Sequence, residues 1–358
     1  MPREEKPRRA TIHDVARHAG VSAATVSKVL RGVSSVKAEN ADRVHAAVKA
    51  LGYRMDPLAS GLRNEYRRII GAVVPDLESA FFGALVAGLE DAAERAGYHM
   101  IVSSSRESEE READLVARMN DWRVAGTILA PVRSERGRGA AMLRELDMTA
   151  VLVDRVSADD RYDTVTADNF EASAEVADFL LGLGHRHVLL HGATQISKAV
   201  RTRLAGFSKR AKAREPGVHI DTLLSDDDLE VQREAVREYF DVALGENTQG
   251  GPTAVFSLSQ HSTLLVLSEL GRRGLRVPQD ISLVGFDDGE WMQTTWPSIT
   301  AVAQPVAVMA ERALAALLAR IEGENTGFPV QCLEPCKMLV RQSAGPGEEM
   351  SRQRRGGR

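Results

Sequence analysis

Two patterns in the sequence predict a small all-α module followed by a two-lobe α/β body with parallel sheets. Residues 11–51 repeat apolar side chains at helical spacing, and beyond residue 68 apolar strands alternate with amphipathic helices. Charge separates the same two parts. The net charge is −4 over 358 residues, yet residues 1–68 hold 14 Lys/Arg against 7 Asp/Glu, while the remaining 290 hold 32 against 43. A basic module on an acidic body is what a polyanion partner at one end requires. Chance clustering on a solvated surface is the competing explanation, and local sequence has to decide.

Composition narrows the classes. With 43% apolar and 27% charged residues the chain can build sizeable cores, which excludes collagen, low-complexity polymer and full-length disorder. No apolar run approaches the ~18 residues that span a bilayer. Met1 to Ala10 is charged and has no apolar stretch behind it, so no secretory signal is expected. The two cysteines, Cys332 and Cys336, would lie about 13 Å apart on one strand, too far for a disulfide. A cytoplasmic location is expected, with no metal, because no further ligands lie near the pair.

The basic end reads TIHDVARHAGVSAATVSKVLR over residues 11–31. Thr11 followed by Asp14 is a capping-box variant, which starts a helix at Ile12. Val15, Ala16 and Ala19 recur at helical spacing until Gly20 turns the chain. Ser22 caps a second helix with Val26, Val29 and Leu30 inward. The pair makes a helix-turn-helix, whose second helix enters the DNA major groove; an ordinary helical hairpin is the alternative. A third helix is predicted over Ala38 to Leu51, with Val44, Ala47, Val48 and Leu51 inward and Gly52 as its C-cap. Asp56 and Pro57 then start a segment of under two turns, too short to be helical alone.

In the body, strands are predicted at 69–75, 99–105, 126–131, 149–154, 187–192, 253–258 and 281–286. Helices such as 81–97 and 172–184 lie between them. Alternation of this kind means parallel sheets covered on both faces. Nearly 270 residues of it exceed one ordinary sheet, so two lobes with a cleft are expected.

The run from Thr11 to Arg63, with DVARHAGVSAATVSKVL, HAAVKALGY and DPLASGLR, resembles the DNA-binding headpiece of the LacI/GalR family of transcriptional regulators. The resemblance continues through VVPDLESAFFGALVAGLEDAAERAGY, GTILAP, VLVDR, VTADNFEASAEVADFLLGLGHRHV, RTRLAGF, VPQDISLVGFDD and PSITAVAQP. It implies a periplasmic-binding-protein-like effector domain behind the headpiece. The implied organisation is a flexible tail over 1–10, a headpiece over 11–55 and a hinge helix over 56–66. An effector-binding and dimerisation body follows over 67–341, with lobe crossovers near 165, 297 and 328, and then a flexible tail over 342–358. The implied partners are double-stranded operator DNA, a sugar or sugar-acid effector and a second copy of the chain.

By the same resemblance, Ala23, Ala24 and Lys28 are the specificity positions. Two alanines can offer methyls to thymine, and Lys28 can donate to guanine acceptors; plain helix propensity also accounts for the alanines. Ser22, Thr25 and Ser27 read as phosphate-contacting residues, joined by Arg31, which stands where the family usually has Asn, and Thr11 is a further DNA-binding residue. Leu62 is the wedge that two hinge helices drive into the minor groove, and Ala59 is small enough to let them approach. For the effector, Phe81 and Phe82 match the first strand–loop contact, Arg203 matches the clamping arginine, and Asp154 and Asp287 end strands facing it. Ordinary salt bridges are the alternative for each charge. Ser259-Gln260 stands where the family commonly has Asn-Asp, which removes a carboxylate and an amide from a ligand-facing loop.

No catalytic constellation or cofactor motif appears. GLGHRH (182–187) begins like a dinucleotide fingerprint but lacks its third glycine and follows a helix. His185, His187 and His191 share a strand face, which suggests metal; a helix-end histidine plus ordinary strand residues is the plainer reading. The functions competing with a repressor are a transport-type sugar-binding protein and an enzyme on the same scaffold.

Overall fold

A computed structural model describes residues 10–30, 36–53, 68–193, 197–225, 228–245 and 250–347. Contacts divide the chain into two units, with the boundary between Arg67 and Arg68.

In the first unit, α1 (Ile12–Ala19), α2 (Ala23–Leu30) and α3 (Ala38–Leu51) close over Val15, Val26 and Val44, which are fully buried. The capping box at Thr11 is complete: its N–H and hydroxyl donate to Asp14 Oδ2 at 2.9 and 2.7 Å, and Asp14 N–H donates back. Gly20 turns the chain at φ +65°, a region that costs side-chain-bearing residues. Gly52 ends α3 in the same conformation.

The second unit has two six-stranded sheets. Its strands are β1 (Ile69–Val74), β2 (His99–Ser104), β3 (Gly126–Leu129), β4 (Ala150–Val153), β5 (Asp163–Ala167), β6 (His187–Ala193), β7 (His219–Ser225), β8 (Ala254–Ser257), β9 (Ser282–Phe286), β10 (Thr300–Ala303), β11 (Gln331–Glu334) and β12 (Lys337–Leu339). Lobe 1 has the order β11-β5-β4-β3-β1-β2, and lobe 2 has β12-β10-β9-β8-β6-β7. Every pairing is parallel except that of β12 with β10. Helices cover both faces, as parallel sheets require.

The chain passes between lobes three times. It leaves lobe 1 after β5, at Asp168, close to the expected point. It returns at Gln304-Pro305, after β10 rather than near 297, because β10 still belongs to the lobe 2 sheet. It crosses last at Pro335-Cys336, between β11 and β12, rather than near 328. The helix Val306–Ile321 therefore packs on lobe 1, where Met309, Ala310, Ala313, Leu314 and Leu317 join a core with Leu85 and Leu89. Gly88 lets this helix approach, since a Cβ there would stand 2.9 Å from that of Ala310.

The start of the expected C-terminal tail is a correction. Residues 342–347 are stitched into lobe 2. Ser343 is fully buried, and its hydroxyl accepts from Thr300 N–H and donates to the Leu283 carbonyl. Gly345 N–H donates to Ser282 Oγ, and Gly347 N–H to the Leu183 carbonyl.

Candidate functional site

On the headpiece, α2 presents Ala24 and Lys28 to solvent, one turn apart on the same face. Ala23 is half-buried and packs on the module's core, so it shares its methyl between packing and any partner. Ser22 caps α2: its Oγ accepts from Thr25 N–H at 3.1 Å and lies 2.9 Å from Thr25 Oγ1. Thr11 is engaged with Asp14, and Ser27 is half-buried. Arg31, Ala59, Leu62 and the expected hinge helix lie outside the described residues.

In the body, the expected effector residues gather where the strands of both lobes end. Asp154 follows β4 and Asp287 follows β9, each with a left-handed φ, +65° and +71°. Strand ends in open parallel sheets are where ligands bind. Arg203, on the helix Lys198–Arg214, is 4% exposed. It donates from Nε to Asn169 Oδ1 and from Nη1 to the Leu258 carbonyl, both at 2.7 Å, and pairs with Asp287 at 3.5 Å. Its guanidinium lies 3.6 Å from the centre of the Phe286 ring, a stacking that favours arginine over lysine.

Asp154, from lobe 1, lies 3.9 Å from Arg155 and close enough to feel the charges of Arg203 and Asp287. Burial pushes its carboxyl above the ordinary value, while the nearby charges of Arg155 and Arg203 pull the other way and Asp287 adds to the rise. Beside it, Arg155 is clamped by both oxygens of Glu107, at 2.6 and 2.7 Å, and lies over the Phe82 ring. Gln304, at the second crossing, donates to Asp287 Oδ1. Lys198 of lobe 2 faces Glu135 of lobe 1 at 3.9 Å.

The phenylalanines divide. Phe81 is half-buried and stands edge-to-face against Phe82 at 5.0 Å, while Phe82 belongs to the lobe 1 core. Ser259 is spent on capping the helix Gln260–Arg272, accepting from Ser262 N–H. Sequence reasoning missed Asn169, Arg155, Glu107 and Gln304. Asn169 follows a helix-capping Asp168 in the quoted VTADNF run and could have been found there. The others are placed by chain turns and crossings. Cys336 lies near Arg203, and burial pushes its thiol up to about 12, so it stays protonated.

Of the three histidines read on one strand face, His185 is buried ahead of β6, with its ring nitrogens at Thr253 Oγ1 and the Gly345 carbonyl. Burial depresses it to about 4. His191 is fully buried further along β6, also depressed to about 4 by burial. Among the described residues, His187 is the one of the three that joins a cluster of potential metal ligands. A groove of about 620 Å³, lined by residues such as Leu275, Pro278 and Trp296, lies away from the strand ends. It lacks the converging charges of the cleft.

Comparison with known proteins agrees with both units. Residues 11–56 match the family described as "Bacterial regulatory proteins, lacI family", and residues 177–344 match a periplasmic binding protein-like domain. The chain is 30% identical to the HTH-type transcriptional regulator KdgR of Bacillus subtilis, over 93% of this chain and 97% of that one. It is 31% identical to the regulator PtxS of Pseudomonas plecoglossicida, over 94% and 96%. Among solved structures, the lac repressor dimer bound to operator and the anti-inducer ONPF covers 94% of this chain and 100% of its own, at 25% identity and TM-score 0.83. The CelR–cellobiose complex covers the same shares at 27% and 0.70. With a capped helix-turn-helix ahead of two parallel-sheet lobes, and 30% identity along nearly its whole length, the chain belongs to the lacI family and is a DNA-binding transcriptional regulator.

Proposed function

We propose that the protein is a repressor that binds a palindromic operator as a homodimer and leaves it when a small sugar or sugar acid enters the cleft. The observation that carries this reading is the convergence of Asp154 from lobe 1 on Arg203 and Asp287 from lobe 2. Sugar hydroxyls can donate to the two carboxylates and accept from the guanidinium, and a sugar acid's carboxylate would meet Arg203. Polar groups from both lobes make such a ligand a bridge between them. The ligand named with CelR is a sugar, which supports a sugar here as well. The matched relatives are transcriptional regulators, which supports a body that serves binding and signalling. No described helix is long and apolar enough to cross a membrane. The reading places the regulator in the cytoplasm, on the nucleoid.

On DNA, Lys28 and Ala24 would meet base edges, with Ala23 at the helix start. Ser22, Thr25, Ser27, Thr11 and Arg31 would position the module on phosphates, and Leu62 with Ala59 would work in the minor groove. An effector that changes the angle between lobes changes the spacing of the two hinge segments. Linkage makes the coupling reciprocal, typically about 5–150-fold in each affinity.

The test is a thermal-shift screen of neutral sugars and sugar acids on the full chain, followed by operator release. A hit that raises the melting temperature and frees the operator supports the reading. Stabilisation without release would leave only a sugar-binding body. A fragment beginning at Arg68 should not bind the operator.

A further inference from the structure

Lobe 2 carries a side-chain cluster at the end of its sheet remote from the cleft. β6 and β7 pair with His187 opposite His219. Asp221, two residues along β7, falls on the same face as His219. His187 Nε2 is 2.7 Å from Asp221 Oδ2, and His219 Nε2 is 3.0 Å from Oδ1. All three potential ligand atoms lie within 4.8 Å of one another.

The contacts behind this cluster orient its potential ligand atoms. His187 Nδ1 lies 2.9 Å from the Gly250 carbonyl, which can only accept, so Nδ1 carries a proton. A neutral His187 then turns the bare lone pair of Nε2 toward a carboxylate. Two lone pairs at that distance repel unless something positive sits between them, either a second proton or a cation. An imidazole oriented by an N–H bond to a backbone carbonyl is the usual arrangement behind a metal ligand. Tyr239 supports the carboxylate from the other side, donating its hydroxyl to Asp221 Oδ2. Burial raises the Asp221 carboxyl, but the Tyr239 hydrogen bond and the two imidazoles outweigh it and hold the group below the ordinary range.

We propose that His187, His219 and Asp221 form a site for a divalent transition metal of the zinc class. Two imidazoles and one carboxylate suit zinc, whereas magnesium and calcium prefer oxygen ligands throughout. Bonds of about 2.05 Å in a tetrahedron separate ligand atoms by about 3.3 Å, so the 2.7 and 3.0 Å contacts would open by about 0.6 and 0.3 Å while the more widely spaced atoms draw in. His219, whose side chain is 66% exposed, has the freedom to move. The fourth position opens to solvent on its side. Lobe 1 shows that the fold itself does not require the cluster. There Ile69 pairs with His99 in the corresponding register, and the position matching Asp221 is Ile101. A bound ion would fasten the edge strand β7 to β6 at the Gly250 loop.

The experiment is calorimetric titration of Zn²⁺ into the chelator-treated full chain at pH 8, with Co²⁺ absorption as a check on geometry. One ion per chain is expected, with a tetrahedral Co²⁺ spectrum and at least tenfold weaker binding in His219→Ala. Tyr239→Phe should fold, take up the ion and bind it about tenfold more weakly. No uptake at pH 8 would mean that the cluster holds only protons, and would overturn the proposal. So would uptake unchanged in His219→Ala, or equal affinity for Mg²⁺.

Discussion

Asp154 in lobe 1 and Asp287 in lobe 2 each follow the third strand of their sheets, counted from β11 and β12. Both have left-handed φ, and their N–H groups donate to the carbonyls of Val165 and Val302, on the neighbouring strands. The correspondence extends to the sheet margins: His99 N–H donates to the Arg68 carbonyl, and His219 N–H to that of Arg186. The side chains at matching places diverge. The fourth residue of the helix Glu109–Asp121 is the buried Glu112, and that of the helix Leu229–Ala243 is the buried Gln232. The arginine that lobe 1 brings to the cleft is paired near the surface, while that of lobe 2 is walled in. Backbone geometry repeats because strand ends must be shaped alike to face each other, whereas each lobe is free to choose which charge it buries.

Truncating the two cleft arginines should test this contrast most severely. Arg203→Ala strips the cation from beside Asp287, which keeps the Gln304 amide, and leaves the buried Asn169 Oδ1 and Leu258 carbonyl without their donor, and should cost about 3–5 kcal/mol. Arg155→Ala loses a pair whose Glu107 side chain is 38% exposed, and should cost about 1 kcal/mol. Urea denaturation measures both, and equal losses would erase the distinction between lobes. Arg203→Ala should also abolish the response to effector.

Glu112 supplies the next largest effect. Burial raises its carboxyl to about 7 from an ordinary 4.5, despite hydrogen bonds from the N–H groups of Val132 and Gly139. A folded value above the unfolded one means that protonation favours the native state. Its contribution is complete below pH 4.5 and is lost as pH rises through 7, amounting to about 3 kcal/mol. Glu112→Gln, which copies lobe 2, should flatten stability over that range, and Gln232→Glu should introduce the same slope. Thermal melts at stepped pH read both; a slope that persists in Glu112→Gln would place the titration elsewhere.

The smallest effect belongs to the pair spanning the lobes. Lys198 and Glu135 are partly exposed and 3.9 Å apart, so Lys198→Ala should weaken closure by about 0.5 kcal/mol. Effector affinity should fall roughly twofold, and more steeply at low salt. Affinity independent of salt would remove the pair from the closing motion.

Legibility in the sequence followed locality. The capping box at Thr11, the Gly20 turn and the apolar runs of β1, β4, β8 and β9 could be read because their causes lie within a few residues. β5, DTVTA, escaped, although all five residues are buried, because Asp163 is satisfied by Arg320 and Val330 from far along the chain. β7 and β11 are edge strands with half-exposed faces, and β12 has only three residues. At the site, Arg203, Asp154 and Asp287 came through the family resemblance. Glu107 and Gln304 did not, because a turn and a lobe crossing bring them in. Phe82 is 4% exposed in the lobe 1 core, a burial that an apolar residue's place in the sequence does not reveal by itself.

The second crossing has a consequence for biosynthesis. Leu85 and Leu89 leave the ribosome early, yet the helix that covers them, Val306–Ile321, is made only after most of lobe 2. Between the end of the helix Ala80–Arg95, which carries both leucines, and the arrival of Leu317, 222 residues must be added. At roughly 5–20 residues per second that takes about 10–45 s, during which the apolar face of the nascent lobe 1 has no permanent cover. Lobe 1 has five of its six strands by Ala167, yet five of the six strands of lobe 2 are also made before that covering helix arrives. A chaperone would meet this protein at lobe 1, and a chain arrested near residue 300 would display that face for as long as it stayed attached.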